Sequence, residues 1–347
     1  MMTQRDHYSP SAYQRYPKVE LHRHLEGSLR LHTLQEIAAA HGIAIEEEAP
    51  LDNLVQIGEH EPYTVDNFLS KFSVLRLFYR SPEVITRITE EAIEDAANDN
   101  IRYLELRFTP VALSRMEDFP LADVMDWVIE ATQQASQKYN LPTRLVASVN
   151  RHEDPALAAE VARLSVERMG RGIVGLDLAG NEATFSAGPF EPIFREASQA
   201  GLHITVHAGE WGPAENVRQA IEMLNAERIG HGVRVLEDEN IVNLARERHT
   251  VFEVCITSNY QSGVVPALTK HPLSRMQAAG LHITINTDDP AISRIELSDE
   301  YYLAHERLGM SLEALKHTVL TAARGAFLPE EARTALVKQL QSEWENL

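Results

Sequence analysis

KVELHRHLEGS, residues 18 to 28, decides how the chain is read. Its first half is a short run suited to a strand, and His22 and His24 close that run at i and i+2. Side chains alternate across a strand with a period of two, so both imidazoles leave the same face at its C-terminal end. Arg23 leaves the opposite face and is expected to pack elsewhere.

Similar runs recur along the chain: IRYLELRF (101 to 108), TRLVASVN (143 to 150), GIVGLDLAG (172 to 180), LHITVHAG (202 to 209), ERIGHG (227 to 232), TVFEVCI (250 to 256) and LHITINTDD (281 to 289). Between them lie EVITRITEEAIEDAANDN, LADVMDWVIEATQQASQKYN, DPALAAEVARLSVERMG and PAENVRQAIEMLNAE, with apolar residues three and four apart and a polar opposite face. Strands that each lead into a helix predict an α/β fold, a parallel sheet closed into a (β/α)8 TIM-type barrel rather than an open doubly wound sheet. ERIGHG matches a strand least well. No repeat, low-complexity tract or linker interrupts the rhythm, so residues 1–347 read as a single domain, with 1–16 as an N-terminal tail. The longest departure spans residues 25 to 100, between the first two strands. Extra helices there are expected over the barrel's C-terminal mouth. Phe68, Leu69 and Phe72 on that excursion would form either an apolar wall over a pocket or a plain core-facing stripe.

The composition, 44% hydrophobic and 24% charged, is that of a soluble globular protein. No apolar run approaches the ~18 residues that span a bilayer, and the N-terminus has no apolar signal region. The single cysteine, Cys255, forbids an internal disulfide, which fits a reducing cytoplasm. It reads as a small buried side chain on the seventh strand, with Ser258 and Asn259 as loop residues after it. A net charge of -19 repels polyanions, so the expected partner is a small molecule, with no nucleic acid and no membrane.

The out-of-place polar residues gather at the C-terminal ends of the strands, where barrel enzymes keep their reactive groups. His22 and His24 end the first strand, His207 the fifth with Glu210 after it, His231 the sixth, and Asp288 and Asp289 the eighth. His22, His24, His207 and one aspartate make a donor set suited to zinc with an open position, able to activate water at neutral pH. Glu210 is placed to exchange a proton with a substrate atom, and His231 to hold or deprotonate the water. Both aspartates reach one pocket only if the chain turns there, which Pro290 favours.

Spacing alone stops at a metal-dependent hydrolase. The motifs ELHRHLEGS, LELRFTP, DLAGNE, TVHAGE, ERIGHGV, CITSNYQSG and TINTDDP, in this order from about residue 17 onward, resemble the adenosine deaminase family of the amidohydrolase-type barrels. The resemblance implies one zinc ion on His22, His24, His207 and Asp288. It also implies Glu210 as proton donor to purine N1, His231 as the residue orienting the attacking hydroxide, Asp289 at N7 and the Gly180 amide at N3. The reaction implied is hydrolytic deamination at C6. Binuclear relatives need a bridging lysine on the fourth strand, and GIVGLDLAG has none.

One position departs from the family pattern: Glu26 stands where an aspartate commonly follows HxHL and looks toward the ribose. Its extra methylene moves the carboxylate by about one C–C bond, ~1.5 Å. The order of expected substrates is therefore adenosine and 2′-deoxyadenosine, then a 5′-modified adenosine such as aminodeoxyfutalosine, then adenine. A 5′-phosphate is disfavoured because no Arg/Lys cluster flanks the motifs.

Overall fold

The computed structural model describes residues 9–44 and 50–347. Eight strands lie in chain order, β1 (Lys18–His24), β2 (Ile101–Phe108), β3 (Thr143–Asn150), β4 (Ile173–Ala179), β5 (His203–Ala208), β6 (Arg228–His231), β7 (Val251–Val254) and β8 (His282–Ile285). Every neighbouring pair is parallel. The ends of the sheet meet where Asp288, just past β8, bridges Arg23 on β1, with His24 N–H donating to the Asp288 carbonyl at 2.8 Å and Asp288 N–H to the His22 carbonyl at 2.9 Å. The sheet is thus the expected (β/α)8 barrel. The segment ERIGHG is a true strand, paired with β5 on one side and β7 on the other.

Strand boundaries are tighter than the apolar runs suggest. The last two strands stop early, at Val254 and Ile285, because the residues beyond them turn inward to build a site. Ser258 and Asn259 are not in a loop but on a short helix, Ile256–Gln261, and both are buried.

Between β1 and β2 run α1 (Leu31–His41), α2 (Leu51–Val55), α3 (Val65–Leu75) and α4 (Pro82–Asn98). The serine hydroxyl of Ser81 caps α4 by accepting from Val84 N–H at 3.2 Å, and Pro82 sits at its first position, where no N–H is needed. Val84, Ile85, Ile88, Ala92, Ile93 and Ala96 bury one stripe of this helix, the spacing read from the sequence. Of the expected N-terminal tail, residues 1–8 lie outside the described residues. The remainder packs onto the fold, with Tyr13 and Tyr16 buried and Tyr16 stacked on Trp344 at 4.7 Å between ring centroids. No described helix is long and apolar enough to cross a membrane.

The barrel interior departs from the branched aliphatic filling usual for this architecture. Arg107 of β2 meets Glu253 of β7 at 2.7 Å and Asp177 of β4 at 3.4 Å, and Arg228 of β6 meets Glu105 and Glu253, each at 2.6 Å. β2 is a neighbour of none of β4, β6 and β7, so Arg107 and Glu105 reach their partners through the barrel centre. All five groups are fully or almost fully buried, and each charge is tolerated because its partners replace the lost water. Arg107→Met is expected to lower unfolding free energy by roughly 3–5 kcal/mol, because it strands Glu253 and Asp177 without their counter-ion. A urea midpoint equal to that of the parent chain would show that the network carries no net stability.

Candidate active site

His22 and His24 project from the end of β1, as the period of two requires, and His207 projects from β5. Arg23 points away, to Glu20 at 2.8 Å and the Ala92 carbonyl at 3.2 Å. Two residues adopt positive φ to aim their side chains: His231 at the end of β6 (φ 60°) and Asp288 beyond β8 (φ 69°). Such conformations cost about 1–3 kcal/mol away from glycine and recur where function demands them. The turn at Asp288 is what brings both aspartates to the same cavity.

Four donor atoms, from His22, His24, His207 and Asp288, lie within 4.8 Å of one another. His22 Nε2 and His24 Nε2 are 3.1 and 3.2 Å from Asp288 Oδ1, and the His24 and His207 Nε2 atoms are 3.3 Å apart. Donors on a tetrahedral ion with bonds of about 2.0–2.1 Å are separated by roughly this distance. The far nitrogens of two rings are held by carboxylates, His22 Nδ1 by Glu253 at 2.8 Å and His207 Nδ1 by Asp177 at 3.0 Å. Each Nδ1 then donates, and each Nε2 turns a lone pair toward the common centre. Burial would push Asp177 and Glu253 up, but His207 and Arg107 hold Asp177 below the usual carboxylate range, and Arg107, Arg228 and His22 do the same for Glu253. Converging lone pairs and a carboxylate repel one another unless a cation sits among them, so the set fits a metal ion. Ser258 Oγ donates to the remaining Asp288 oxygen at 2.7 Å.

Glu210 follows β5 in a turn that one residue organises. Glu182 accepts from the backbone N–H groups of Gly209, Glu210 and Trp211 at 3.0, 2.6 and 2.9 Å, and from the Asn216 amide at 2.7 Å. Burial, and then the carboxylates of Asp288 and Glu182, push Glu210 well above the ordinary carboxylate range, which favours its protonated form. Burial, Asp288, Glu26 and Glu210 raise Asp289 in the same way. Gly27 makes room for that aspartate: a Cβ there would stand 1.9 Å from Asp289 Oδ1.

The protonation of His231 follows from a chain of donors that starts on the backbone. Leu273 N–H donates to His271 Nδ1 at 3.2 Å, which leaves the His271 proton on Nε2, facing Asn259 Oδ1 at 3.3 Å. The Asn259 amide nitrogen then donates to His231 Nδ1 at 3.1 Å. His231 is thereby kept as the tautomer with its proton on Nε2, aimed between Glu210 Oε2 at 3.6 Å and Asp288 Oδ2 at 3.9 Å. Burial, with His22, His207 and His24 nearby, holds the ring well below its usual pKa despite Asp288, so it stays neutral.

A cavity of about 350 Å³ opens over this floor. Every expected substrate residue lines it: His24, Glu26, Phe68, Leu69, Gly180 and Asp289, as do Glu210, His231, His207, Asp288 and Phe72. His22 is fully buried beneath. The chain reaches Gly180 with φ +91°, open to glycine without strain. Glu26 Oε1 accepts from Thr109 N–H at 2.5 Å, while Glu26 Oε2, Asp289 Oδ1 and Trp211 Nε1 are buried without a partner among the described residues. Unmet polar atoms of this kind cost about 1–3 kcal/mol each, which a ligand in the cavity would recover.

Sequence reasoning missed Arg76, Asn150, His152, Phe185 and Trp211 in the cavity wall, and Asp177, Glu182, Glu253, Asn259 and His271 behind it. Charged residues at alternate positions of apolar strands, as in LDL and FEV, were the available signal for two of them. Cys255 is buried as expected, but its sulfur also lies within 4.8 Å of ring nitrogens of His22 and His231. Burial pushes the thiol well up, so it remains protonated.

Comparison with known proteins agrees with this geometry. The family model described as adenosine deaminase matches residues 17–343. An adenosine deaminase of Klebsiella pneumoniae (strain 342) is 35% identical over 328 residues, covering 93% of this chain and 97% of the relative. One from Serratia proteamaculans is 36% identical over 325 residues, with coverage of 93% and 97%. Among solved structures, an amidohydrolase from Burkholderia ambifaria with bound Zn superposes with a TM-score of 0.88 at 27% identity, covering 99% of this chain and 96% of that one. An adenine deaminase from Arthrobacter aurescens also gives 0.88 at 27% identity, covering 96% and 100%. With its barrel, its converging donors and these similarities taken together, the chain belongs to the adenosine deaminase family.

Proposed function

We propose that the chain deaminates adenosine and 2′-deoxyadenosine hydrolytically, releasing ammonia and the 6-oxopurine nucleoside. The observation that carries this reading is the buried Glu210 carboxyl, pushed above the ordinary carboxylate range, on the same cavity wall as His24, His207 and Asp288 of the four converging donors. A single zinc ion held by His22, His24, His207 and Asp288 would supply Lewis acidity, making water nucleophilic at neutral pH.

The protein's own groups do the rest. A purine resists attack at C6 until N1 gains a proton, and Glu210 is an acid held ready to give one. Neutral His231 donates its Nε2 proton to the attacking oxygen and so orients it rather than taking a proton from it. Asp289, whose protonated form its surroundings favour, can offer a proton to N7, an acceptor. Glu26 Oε2 has an unfilled acceptor position for a sugar hydroxyl. Overall the C6–N bond breaks and a C6–O bond forms; of water's two protons, one restores the proton that Glu210 gave to N1 and the other leaves with the amine as ammonia.

The test is ammonia release from adenosine, 2′-deoxyadenosine, 5′-modified adenosines, AMP and adenine, with metal analysis on the same preparation. The reading fails if the metal-replete protein leaves every aminopurine unchanged. His207→Ala is expected to lose both the metal and activity, as measured by elemental analysis and turnover. Full occupancy in that variant would remove His207 from the ligand set.

A further inference from the structure

The cavity has a floor and a rim of opposite character. The floor holds the buried histidines and carboxyls, whereas the rim holds Arg76 at the end of α3, His152 after β3, and Phe185, which is 40% exposed. Among the described residues, Arg76 is the only arginine or lysine lining the cavity. It makes no hydrogen bond or ion pair among the described residues, although its charge reaches Glu26, Tyr79 and His152. Glu153, whose charge like that of Arg76 reaches His152, is engaged by Arg115 at 3.2 Å. An unpaired guanidinium in a cavity wall, on a chain with net charge -19, marks a place prepared for an anion.

The ligand's geometry places that anion. In a 6-aminopurine nucleoside the sugar is attached to the ring remote from C6. With C6 over the donor set, the sugar would point away from it, toward the rim residues of the cavity. The far end of the sugar is its 5′ position. We infer that Arg76, assisted by His152, forms a subsite for an oxyanion carried on the 5′ side of the substrate, so that the chain favours adenine nucleosides ending in a carboxylate or phosphate over unsubstituted adenosine. The exposed ring of Phe185, 6.2 Å from that of His152, gives the substituent an apolar flank. The motif-based expectation that a 5′-phosphate is disfavoured overlooked Arg76 because it lies in the long excursion, outside every motif.

This inference rests on the deaminase reading, and the experiment separates the two. On zinc-loaded protein at low salt, kcat/KM is measured for adenosine, adenosine-5′-carboxylate and AMP, and calorimetric Kd for inosine, inosine-5′-carboxylate and IMP. The anionic members are expected to be favoured. Arg76→Gln is expected to lower the ratio of anionic to neutral ligand by about tenfold or more, in Kd and mainly through KM, as a lost charge-assisted bond implies. Arg76→Lys should keep part of the preference, and thermal melting of both variants checks the fold. Comparison of the carboxylate and phosphate arms identifies which oxyanion the rim takes. The subsite is overturned if neither anionic nucleoside is favoured, or if Arg76→Gln shifts neutral and anionic ligands alike. Loss of the deaminase reading would show differently, as no turnover of adenosine, adenosine-5′-carboxylate or AMP.

Discussion

Glu210→Gln is expected to fold, to retain its metal and to lose about 10²–10⁴ of kcat, the range of a positioned general acid. The amide matches the carboxylic acid in shape and removes its transferable proton. Glu182 organises the backbone of this turn rather than the Glu210 side chain, so the turn should stay in place. The Glu210 side chain also lies outside the donor set, so metal content should match that of the parent chain. The measurements are steady-state kinetics on adenosine, melting temperature and metal content. Ammonia release within a few-fold of the parent would assign the proton to another group.

Asn259→Asp is expected to have an effect of similar size for a different reason. Asn259 donates to His231 Nδ1 and receives from His271, and this direction keeps the His231 proton on Nε2. A carboxylate at that position accepts where the amide donated, so Nδ1 takes the proton and Nε2 turns a bare lone pair toward the attacking oxygen. Holding a catalytic histidine in the wrong tautomer costs up to ~10⁴ in other enzymes, and about 10²–10⁴ in kcat is expected here with KM little changed. Protonation of the ring to imidazolium restores Nε2–H, so the loss should be greatest at high pH and partly recovered as the pH falls. A merely structural role would lower activity evenly across pH. A kcat–pH profile parallel to that of the parent would remove the relay from the account.

The two variants probe residues of unequal visibility. Glu210 was legible because it follows a histidine at a strand end, and strand ends are visible in the alternation of apolar residues. Asn259 read as a loop residue, although it lies on a buried helical turn and acts on a residue 28 positions earlier in the chain. Glu182 shares its difficulty: it sits inside DLAGNE, yet its partners are the backbone N–H groups of Gly209, Glu210 and Trp211. Arg107 and Glu253 stood at alternate positions of apolar strands, but nothing local to either shows that they meet 146 positions apart.

From its order of residues alone, this chain determined a parallel barrel, the strands whose ends face its mouth and the acid and imidazoles carried there, because periodicity and spacing are short-range properties of a polypeptide. Closure of β8 onto β1 and the positive φ of His231 and Asp288 decided the rest. Tertiary structure alone set which lone pairs converge, which tautomer His231 adopts and that Arg76 reaches the rim. The physical reason is that hydrogen-bond direction, burial and charge pairing depend on distances between groups far apart in the chain, and those distances exist only once the barrel is closed.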